Sequence, residues 1–322
     1  MSDINLSIII PHFNIPDLLC RLLRSIPERD DIEVIIVDDC STESLDSVRQ
    51  FVSTRDNVSL IVLDQNHGAG RCRNIALERV KGRWILFADA DDRFLDGFYD
   101  VISAFFDSDN DMVVFTATGE EIDTNNAGTR HFLLNETVDR WCDNKDDPKA
   151  ALNVRYKLNA PWCKLIRTDM VKENGVAFEE VKVSNDEMFS TRAGYYAKTV
   201  EVCKTPIYCI TSRPGSLIQV ISEENFMTRL QVFVRKYHFL KEHLSTDDFR
   251  MLDLSAQEKV FSMIQNRYSL GFCARVVREL RKNRIPFFTW ETLRPSTLVS
   301  KLKLARNLKA ERRRSKKYIS KG

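Results

Sequence analysis

The chain has 322 residues, of which 43% are hydrophobic, and a formal net charge of +2 at pH 7. This length allows one large domain with an appendage or two domains, and the apolar content is sufficient for a full core, which excludes a disordered protein. The near-neutral charge by itself favours neither a nucleic-acid binder nor an acidic interaction tail.

The cysteines and the N-terminal residues further limit the class of protein. Eight cysteines are scattered without CxxC pairs or histidines at metal-ligand spacing, so we predict buried reduced thiols rather than a zinc site or a disulfide framework. The opening stretch lacks a basic segment before a long apolar run, and no run of about 18 apolar residues follows. We therefore expect a cytoplasmic protein, either soluble or peripheral at the inner face of the membrane.

Short apolar, β-branched runs alternate with helical periodicity over the first hundred or so residues. The runs predict buried strands at residues 6–10, 33–37, 59–63, 84–88 and 112–116. The stretches between them carry apolar residues at helical spacing. Strand and helix repeated four times predict an α/β fold with a doubly wound, mostly parallel sheet.

The alternation breaks down after residue 107, where the chain is predicted to complete one wall of a cleft. Strands and a polar loop are predicted there at "RHFLL" (130–134), "TVEVC" (199–203), "PIYCI" (206–210) and "DNKDDPK" (143–149). After about residue 222 the sequence becomes helical, with amphipathic stretches at 226–244 and 255–283.

The residues that follow the strands are the candidates for a site, because ligands in open α/β sheets bind outside the carboxyl ends of the strands. The first four strands end in Pro11-His12-Phe13-Asn14, Asp38-Asp39, Asn66-His67-Gly68 and Asp89-Ala90-Asp91-Asp92. Polar and acidic groups therefore gather on one rim of the sheet.

The acidic end of the fourth strand carries the clearest chemical signal. Mg²⁺ and Mn²⁺ prefer oxygen ligands, and proteins often hold them with one or two carboxylates while substrate phosphates supply the rest. Asp89-x-Asp91 suits a metal-bound diphosphate, although such a pattern in isolation is more often a solvated acidic turn. The Gly68–Arg73 segment places backbone and cations at a helix start, where anions bind, but it lacks the third glycine of a dinucleotide fingerprint.

Four ordered blocks favour the functional interpretation: "SIIIPHFN", "IEVIIVDDCSTES", "NHGAGRCRNIAL" and "GRWILFADADDRF". In this order and spacing they resemble the family 2 glycosyltransferases, closely over residues 5–110 and more thinly to about residue 220. The resemblance implies the GT-A fold, a doubly wound mixed sheet, here with a C-terminal helical extension. It also implies an inverting transferase that uses a nucleotide-sugar donor, commonly a UDP-sugar, with Mn²⁺ or Mg²⁺. The expected acceptor is a hydroxyl of a glycan or lipid-linked saccharide in bacterial surface polysaccharide synthesis.

The same resemblance predicts how the chain is divided. Residues 1–220 would form the glycosyltransferase domain, with a nucleotide-sugar-binding half at 1–108 and an acceptor and catalytic half at 109–220. Residues 221–300 would form the helical extension and residues 301–322 a basic tail.

Matching the blocks by position implies a donor site. Its residues would be Pro11, Phe13, Asn14, Asp38, Asp39, Asn66, Gly68, Arg73, Asp89, Ala90 and Asp91. Within this set, Asp38 or Asp39 would hydrogen-bond the uracil edge. Asp89 would lie near the ribose and the metal, and Asp91 would ligate the metal directly.

The catalytic base of the family is an aspartate in an acidic pair just before an apolar residue and Phe. "SNDEMF" matches this pattern and gives Asp186 that role, but Asn185 stands where the family usually has Glu, and Glu187 remains an alternative base. Without the resemblance, the same residues would be an exposed helix start with acids in its first turn.

Three further residues match later elements of the family. Trp162 and Lys164 fit its W-x-K element, and Trp162 would either pack under an acceptor sugar or belong to the core. Arg213 in "SRPGS" would reach a diphosphate unless the segment is a simple turn built on its Pro-Gly pair.

The tail is strongly basic, with ten Lys or Arg against one Glu from Lys301 to Gly322. Leu298, Leu302, Ala305 and Leu308 share one helical face, so residues 300–322 predict contact with an anionic membrane surface. A solvated helix with a disordered end is the alternative, and nucleic-acid binding is the least favoured.

Two other functions remain open for the whole chain. A nucleotidyltransferase would call for a basic, glycine-rich loop directly after the first strand, which "PHFN" does not provide. A non-catalytic nucleotide-sugar-binding or scaffold protein of the same fold is compatible with Asn185.

Overall fold

A computed structural model gives the structure of this chain and describes residues 4–121, 131–212 and 221–289. Eight strands lie in these ranges: β1 (Leu6–His12), β2 (Ile32–Asp38), β3 (Val58–Val62), β4 (Trp84–Phe87), β5 (Arg93–Phe94), β6 (Met112–Glu121), β7 (Lys164–Arg167) and β8 (Val200–Ser212). They form one sheet in the order β3-β2-β1-β4-β7-β6-β8-β5.

The sheet is mixed, as the resemblance implied. β1 to β4 pair in parallel, whereas β7 runs antiparallel to both β4 and β6, and β5 runs antiparallel to β8. All five strands predicted for the first 116 residues are present. The central strands are continuous β-branched and apolar runs because parallel strands inside a sheet are buried on both faces; every residue of β1 but Pro11 is buried, whereas in the edge strand β3 only Val58 is.

Helices of the first part of the chain connect and cover these strands: α1 (Pro16–Arg24), α2 (Asp46–Val52), α3 (Ala69–Leu77), α4 (Phe98–Ser103), α5 (Phe132–Asp143), α6 (Pro148–Tyr156), α7 (Thr168–Glu173) and α8 (Asn185–Tyr196). α1 shows how the sequence encodes them. Pro16 occupies its first turn, and Leu19, Leu22 and Leu23 lie at the i, i+3, i+4 spacing that buries one face.

Three of the predicted strands differ from the structure. The strand at 130–134 is wrong, because α5 begins at Phe132; Leu134 and Val138 are buried one turn apart while Leu133 is exposed. A short apolar run without β-branched residues does not distinguish strand from helix. The runs at 199–203 and 206–210 are halves of the single strand β8, whose pairing with β6 is irregular near Thr116.

The C-terminal region is helical, as expected, with α9 (Glu223–His243), α10 (Thr246–Leu252), α11 (Gln257–Gln265) and α12 (Leu270–Lys282). The stretch predicted at 255–283 is broken because the Ser269 hydroxyl accepts the Phe272 N–H and starts a new helix. None of the helices in the described ranges is both long and apolar enough to cross a membrane.

Internal contacts divide the chain into two compact units, one up to Lys236 and one from Tyr237. The first contains the sheet and α1 to α8. The second is a small helical unit with Leu252, Phe272, Val276 and Leu280 in its interior. The predicted division at residues 108, 220 and 300 stays a prediction, and Arg213 and the tail at 301–322 lie outside the described residues.

Candidate active site

A cleft of about 460 Å³ lies at the carboxyl ends of β1 and β4, within the first unit. Its lining comes from four places along the chain: the end of β1, the start of α3, the acidic turn after β4, and the segment that leads into α8. The predicted site residues among its lining are Pro11, Phe13, Asp39, Arg73, Asp89, Ala90, Asp91 and Asp186. The structure thus brings both predicted acidic elements into one cavity.

The two aspartates after β2 have different surroundings. The Asp38 carboxylate is fully buried outside the cleft, where it accepts hydrogen bonds from the backbone and hydroxyl of Ser41 and lies 2.6 Å from His12 Nδ1. His12 Nε2 accepts the Ile15 N–H, so the hydrogen bonds assign the proton to Nδ1, which donates to Asp38. Asp38 therefore orients His12, a cleft residue, and does not face the ligand space.

Asp39 does line the cleft, and it also fixes the loop before α3. Its carboxylate accepts the N–H groups of His67 (2.7 Å) and Gly68 (2.8 Å), and the Asn66 side chain donates to its carbonyl at 3.2 Å. Gly68 has φ of +87°, which is open to glycine without strain. Of the two predicted uracil-binding aspartates, only Asp39 is placed to contact a ligand, while Asn66 and Gly68 hold the loop.

Phe13 and Asn14 also divide their roles. The Phe13 ring is 45% exposed and lines the cleft, so it offers an apolar face to a flat base. Asn14 has a left-handed backbone (φ 55°), and its side-chain oxygen accepts the N–H groups of Thr42 (2.7 Å) and Glu43 (3.1 Å). Asn14 thus secures the β2–α2 connection rather than the ligand space.

Arg73 connects the two acidic elements of the cleft. Its side chain is nearly buried and donates to Asp89 Oδ1 at 2.7 Å and to Asn185 Oδ1 at 2.8 Å. Asn185 stands at the position where the family usually has Glu, so its amide oxygen keeps the contact with Arg73 without a second negative charge. The departure therefore preserves the geometry that joins the β4 turn to the start of α8.

The three carboxylates of the β4 turn are not equivalent. Asp89 and Asp91 line the cleft, and the Asp89 N–H donates to the Tyr208 hydroxyl at 2.8 Å. Asp92 is 2% exposed and accepts the Thr211 N–H at 2.6 Å, which ties the turn to β8. Asp92 thus has a structural role in this turn, whereas Asp89 and Asp91 lie at the cleft.

Asp186 lies in the first turn of α8 and lines the cleft. Burial raises the pKa of its carboxyl from the ordinary value of 3.8, while Arg73 opposes that rise and Asp89 and Glu187 add to it. The residue before this turn, Ser184, has a left-handed backbone with φ of 58°. A strained entry and a carboxyl with a raised pKa are both common where a group is held for chemistry.

Glu187 points to a different environment. It is buried outside the cleft lining, with its carboxylate 3.5 Å from Lys236 Nζ on α9, and Lys236 also donates to Asn159 Oδ1 at 2.8 Å. Of the two candidate bases, Asp186 faces the ligand space and Glu187 anchors the helix that carries it.

Trp162 and Lys164 lie behind the cleft rather than in its lining. The Trp162 ring stacks on Tyr208 with centroids 5.3 Å apart, so it supports the β4 turn from the core side. Lys164 is fully buried, donates to the Leu158 carbonyl, and burial lowers the pKa of its ammonium to about 8. Neither residue is in the lining, and the predicted diphosphate contact of Arg213 falls outside the described residues.

Several lining residues were missed by sequence reasoning, chiefly Lys182, Val183 and Arg229. Arg229 belongs to α9, beyond the last block of the resemblance, and one amphipathic helix looks much like another. The only signal was its position three residues after Phe226 and one before Leu230, which places it at the edge of a buried helical face.

Comparison with known proteins identifies the family. Residues 7–175, more than half of the chain, match the family model described as glycosyl transferase family 2. The putative glycosyltransferase EpsH of Bacillus subtilis (strain 168) is 25% identical over 259 residues, which are 76% of this chain and 71% of EpsH. The poly(ribitol-phosphate) β-N-acetylglucosaminyltransferase TarS of Staphylococcus aureus (strain MW2) is 28% identical over 231 residues, 68% of this chain but only 38% of TarS.

Solved structures share the fold. S. aureus TarS 1–349 in complex with UDP-GlcNAc superposes with a TM-score of 0.68 at 22% identity, covering 87% of this chain and 80% of that one. A mannosyltransferase from Pyrobaculum calidifontis, in complex with GDP-Man and Mn²⁺, gives a TM-score of 0.57 at 14% identity, covering 92% of this chain and 82% of that one. The expected GT-A fold is confirmed, and the chain is a glycosyltransferase that belongs to glycosyl transferase family 2.

Proposed function

We propose that this enzyme transfers a sugar from a UDP-sugar to a hydroxyl of a glycan or lipid-linked saccharide, with inversion, in bacterial surface polysaccharide synthesis. The observation that carries the proposal is that Asp186 lines the same cleft as Asp89 and Asp91. An acid-lined donor site and a separate carboxylate with a raised pKa are the two elements that such a transfer needs.

The nucleotide would bind between the end of β1 and the start of α3. Phe13 offers a face for stacking the base, and Asp39 keeps lone pairs available beyond the two amides that it binds. In this proposal residues 1–108 hold the donor and residues 109–220 supply Asp186, with α9 adding to the cleft wall.

These residues could hold a divalent cation only if the donor supplies further ligands. No group of three or more His, Cys, Asp or Glu side chains in the described ranges is arranged to hold a metal, and Asp89 is already paired with Arg73. Asp91, with Asp89, would provide one or two carboxylates, and the diphosphate would complete the coordination, as is common for Mg²⁺ and Mn²⁺. When bound, the cation would offset the charge that develops on the departing diphosphate.

Asp186 would act as the base. The acceptor hydroxyl oxygen bonds to the anomeric carbon, its proton passes to the Asp186 carboxylate, and the bond from the anomeric carbon to the diphosphate oxygen breaks with its electron pair leaving on UDP. The raised pKa of Asp186 makes its carboxylate a better proton acceptor than that of an ordinary aspartate.

The relatives support the substrate class. The name of TarS says that it acts on poly(ribitol-phosphate), and its solved complex contains UDP-GlcNAc. The chain spans 38% of the length of TarS, so the donor and acceptor are proposed here for the shared part alone.

The test is a thermal-shift screen of UDP-, GDP- and CMP-sugars with and without Mn²⁺ or Mg²⁺. A ligand at 100 times its Kd stabilises the folded state by about 2.7 kcal/mol, which is readily measured. We expect a UDP-sugar to raise the Tm only when the cation is present, and Asp91→Asn to remove the cation-dependent part. If no nucleotide-sugar raises the Tm and Asp91→Asn changes nothing, the proposal is wrong.

We also propose that the basic segment at 300–322 holds the enzyme at an anionic membrane surface, since a lipid-linked acceptor would be presented there. Deletion of residues 300–322 should abolish flotation with anionic liposomes at low salt. Unchanged flotation would contradict the membrane proposal and leave the proposed sugar transfer unaffected.

A further inference from the structure

Arg229 is a cation of the cleft that is not paired with any residue in the described ranges. Within the described ranges, three cationic side chains line the cavity: Arg73, Lys182 and Arg229. Arg73 is paired with Asp89, and Lys182 lies 3.3 Å from Glu224. Arg229 makes no hydrogen bond or ion pair with any described residue. A guanidinium that lines a cavity and is not engaged by the described part of the chain can donate hydrogen bonds to a ligand.

The helix around Arg229 is fixed on both sides. Before it, Glu224 pairs with Lys182, and after it Arg235 forms a two-pronged ion pair with Glu179 at 2.6 and 2.9 Å. Phe226 and Leu230 are buried beneath the same turns. The backbone of Arg229 is therefore held against the segment 179–187 that carries Asp186, so its side chain faces the cleft without first having to order a loop.

The chemistry of this position favours an anion with several oxygens. Arginine presents planar donors that match phosphate in a two-pronged arrangement, and such charge-assisted bonds are about twice as strong as neutral ones. Two acidic residues of the neighbouring segments already form ion pairs, Asp89 with Arg73 and Glu179 with Arg235. A phosphate group in the cleft could therefore accept hydrogen bonds from Arg229, which the described residues leave unpaired.

We propose that Arg229 binds a phosphate group of a substrate in this cleft, and that it is a positioning residue on the same wall as Asp186. This inference rests on the proposed transfer from a nucleotide-sugar. The phosphate has two possible sources, the diphosphate of the donor and a phosphate carried by the acceptor, and both are met by the same guanidinium.

The experiment measures binding of uridine, UDP and inorganic phosphate to the full chain by calorimetry with Mg²⁺ present. It compares the wild type with Arg229→Gln, Arg229→Lys and Arg79→Gln, an exposed arginine outside the cleft lining. A charge-assisted hydrogen bond contributes about 1.5–3 kcal/mol, so losing it should weaken phosphate binding about tenfold or more. Uridine affinity reports whether each variant keeps the folded nucleoside pocket.

The possible results distinguish the two sources of the phosphate. If the diphosphate is the partner, Arg229→Gln weakens UDP binding at least tenfold with uridine unchanged, Arg229→Lys loses less, and Arg79→Gln loses nothing. If an acceptor phosphate is the partner, UDP binding is unchanged, but inorganic phosphate binds to the UDP-saturated wild type and not to Arg229→Gln. Equal binding of both probes to wild type and Arg229→Gln overturns the inference. A wild type that binds neither uridine nor UDP instead refutes the proposed function.

Discussion

Replacement of Asp186 by Asn should separate catalysis from stability. The change keeps the shape of the side chain but removes the proton acceptor that faces the cleft. General-base catalysis typically contributes 10²- to 10⁴-fold, so kcat should fall by at least about 100-fold. KM for the donor should change little, because in the proposed mechanism Asp186 accepts the proton of the acceptor hydroxyl and does not bind the nucleotide.

The same substitution should stabilise the folded enzyme at neutral pH. Because burial raises the pKa of Asp186 in the fold, its ionised form is disfavoured there relative to the unfolded chain, by about 1.4 kcal/mol for each unit of the rise. Asn is neutral and avoids this cost. Below pH 3.8 the carboxyl is protonated in both states, so the advantage of Asp186→Asn should disappear as the pH is lowered to that range.

Glu187→Gln is the matched control. This change weakens the buried contact with Lys236. Removing one partner of a buried ion pair typically lowers the free energy of unfolding by about 3–5 kcal/mol. We expect a loss of stability at or below the lower end of that range, because Lys236 keeps its hydrogen bond to Asn159. Its kcat per folded molecule should stay within about tenfold of wild type, since a general base is typically worth more than that. UDP release and thermal unfolding at pH 7 and pH 4 measure both quantities. Full activity in Asp186→Asn together with loss in Glu187→Gln would refute the assignment.

Other substitutions test the surroundings of the site. Asp92→Asn should lower the Tm, because Asp92 is buried and accepts the Thr211 N–H, yet cation-dependent donor binding by the remaining folded protein should persist; loss of that binding at unchanged Tm would contradict this. Gly70→Ala should lower both Tm and activity, because its Cβ would clash with the Glu179 carbonyl oxygen; a Tm equal to wild type would show that the helix can shift. Lys164→Met should remove a rise in stability between pH 8 and 10.5, because the buried ammonium has a pKa of about 8 in the fold, whereas in the unfolded chain it stays protonated up to about 10.5; parallel pH–stability curves for the two proteins would disprove it.

The sequence was sufficient to predict which strand-end residues lie close together, because its signals there are local. Each of the first four strands is an apolar run followed directly by polar residues, and parallel strands bring such ends to one edge. Pro11, Phe13, Asp39 and Asp91 could therefore be placed together without coordinates, and all four line the cleft.

Side-chain direction could not be read in the same way. Asp38 and Asp39 are adjacent and chemically identical, but neighbouring residues at a strand end point in opposite directions. The Asp38 carboxylate is hydrogen-bonded to His12 and Ser41, whereas Asp39 lines the cleft. The same ambiguity applied to Asp186 and Glu187, which the first turn of α8 sends to different environments.

The sequence by itself determined the five buried strands of the first 116 residues and the acidic rim, because these depend on periodicity and on residues close together in the chain, and its four ordered blocks carried the resemblance to the family. Only the tertiary structure decided which carboxylates face the ligand space and brought Arg229 into the cleft, since that residue lies 43 positions after Asp186 and reaches it through the ion pairs of α9 with segment 179–187. Contacts between distant segments depend on packing, and packing has no local signature in the chain.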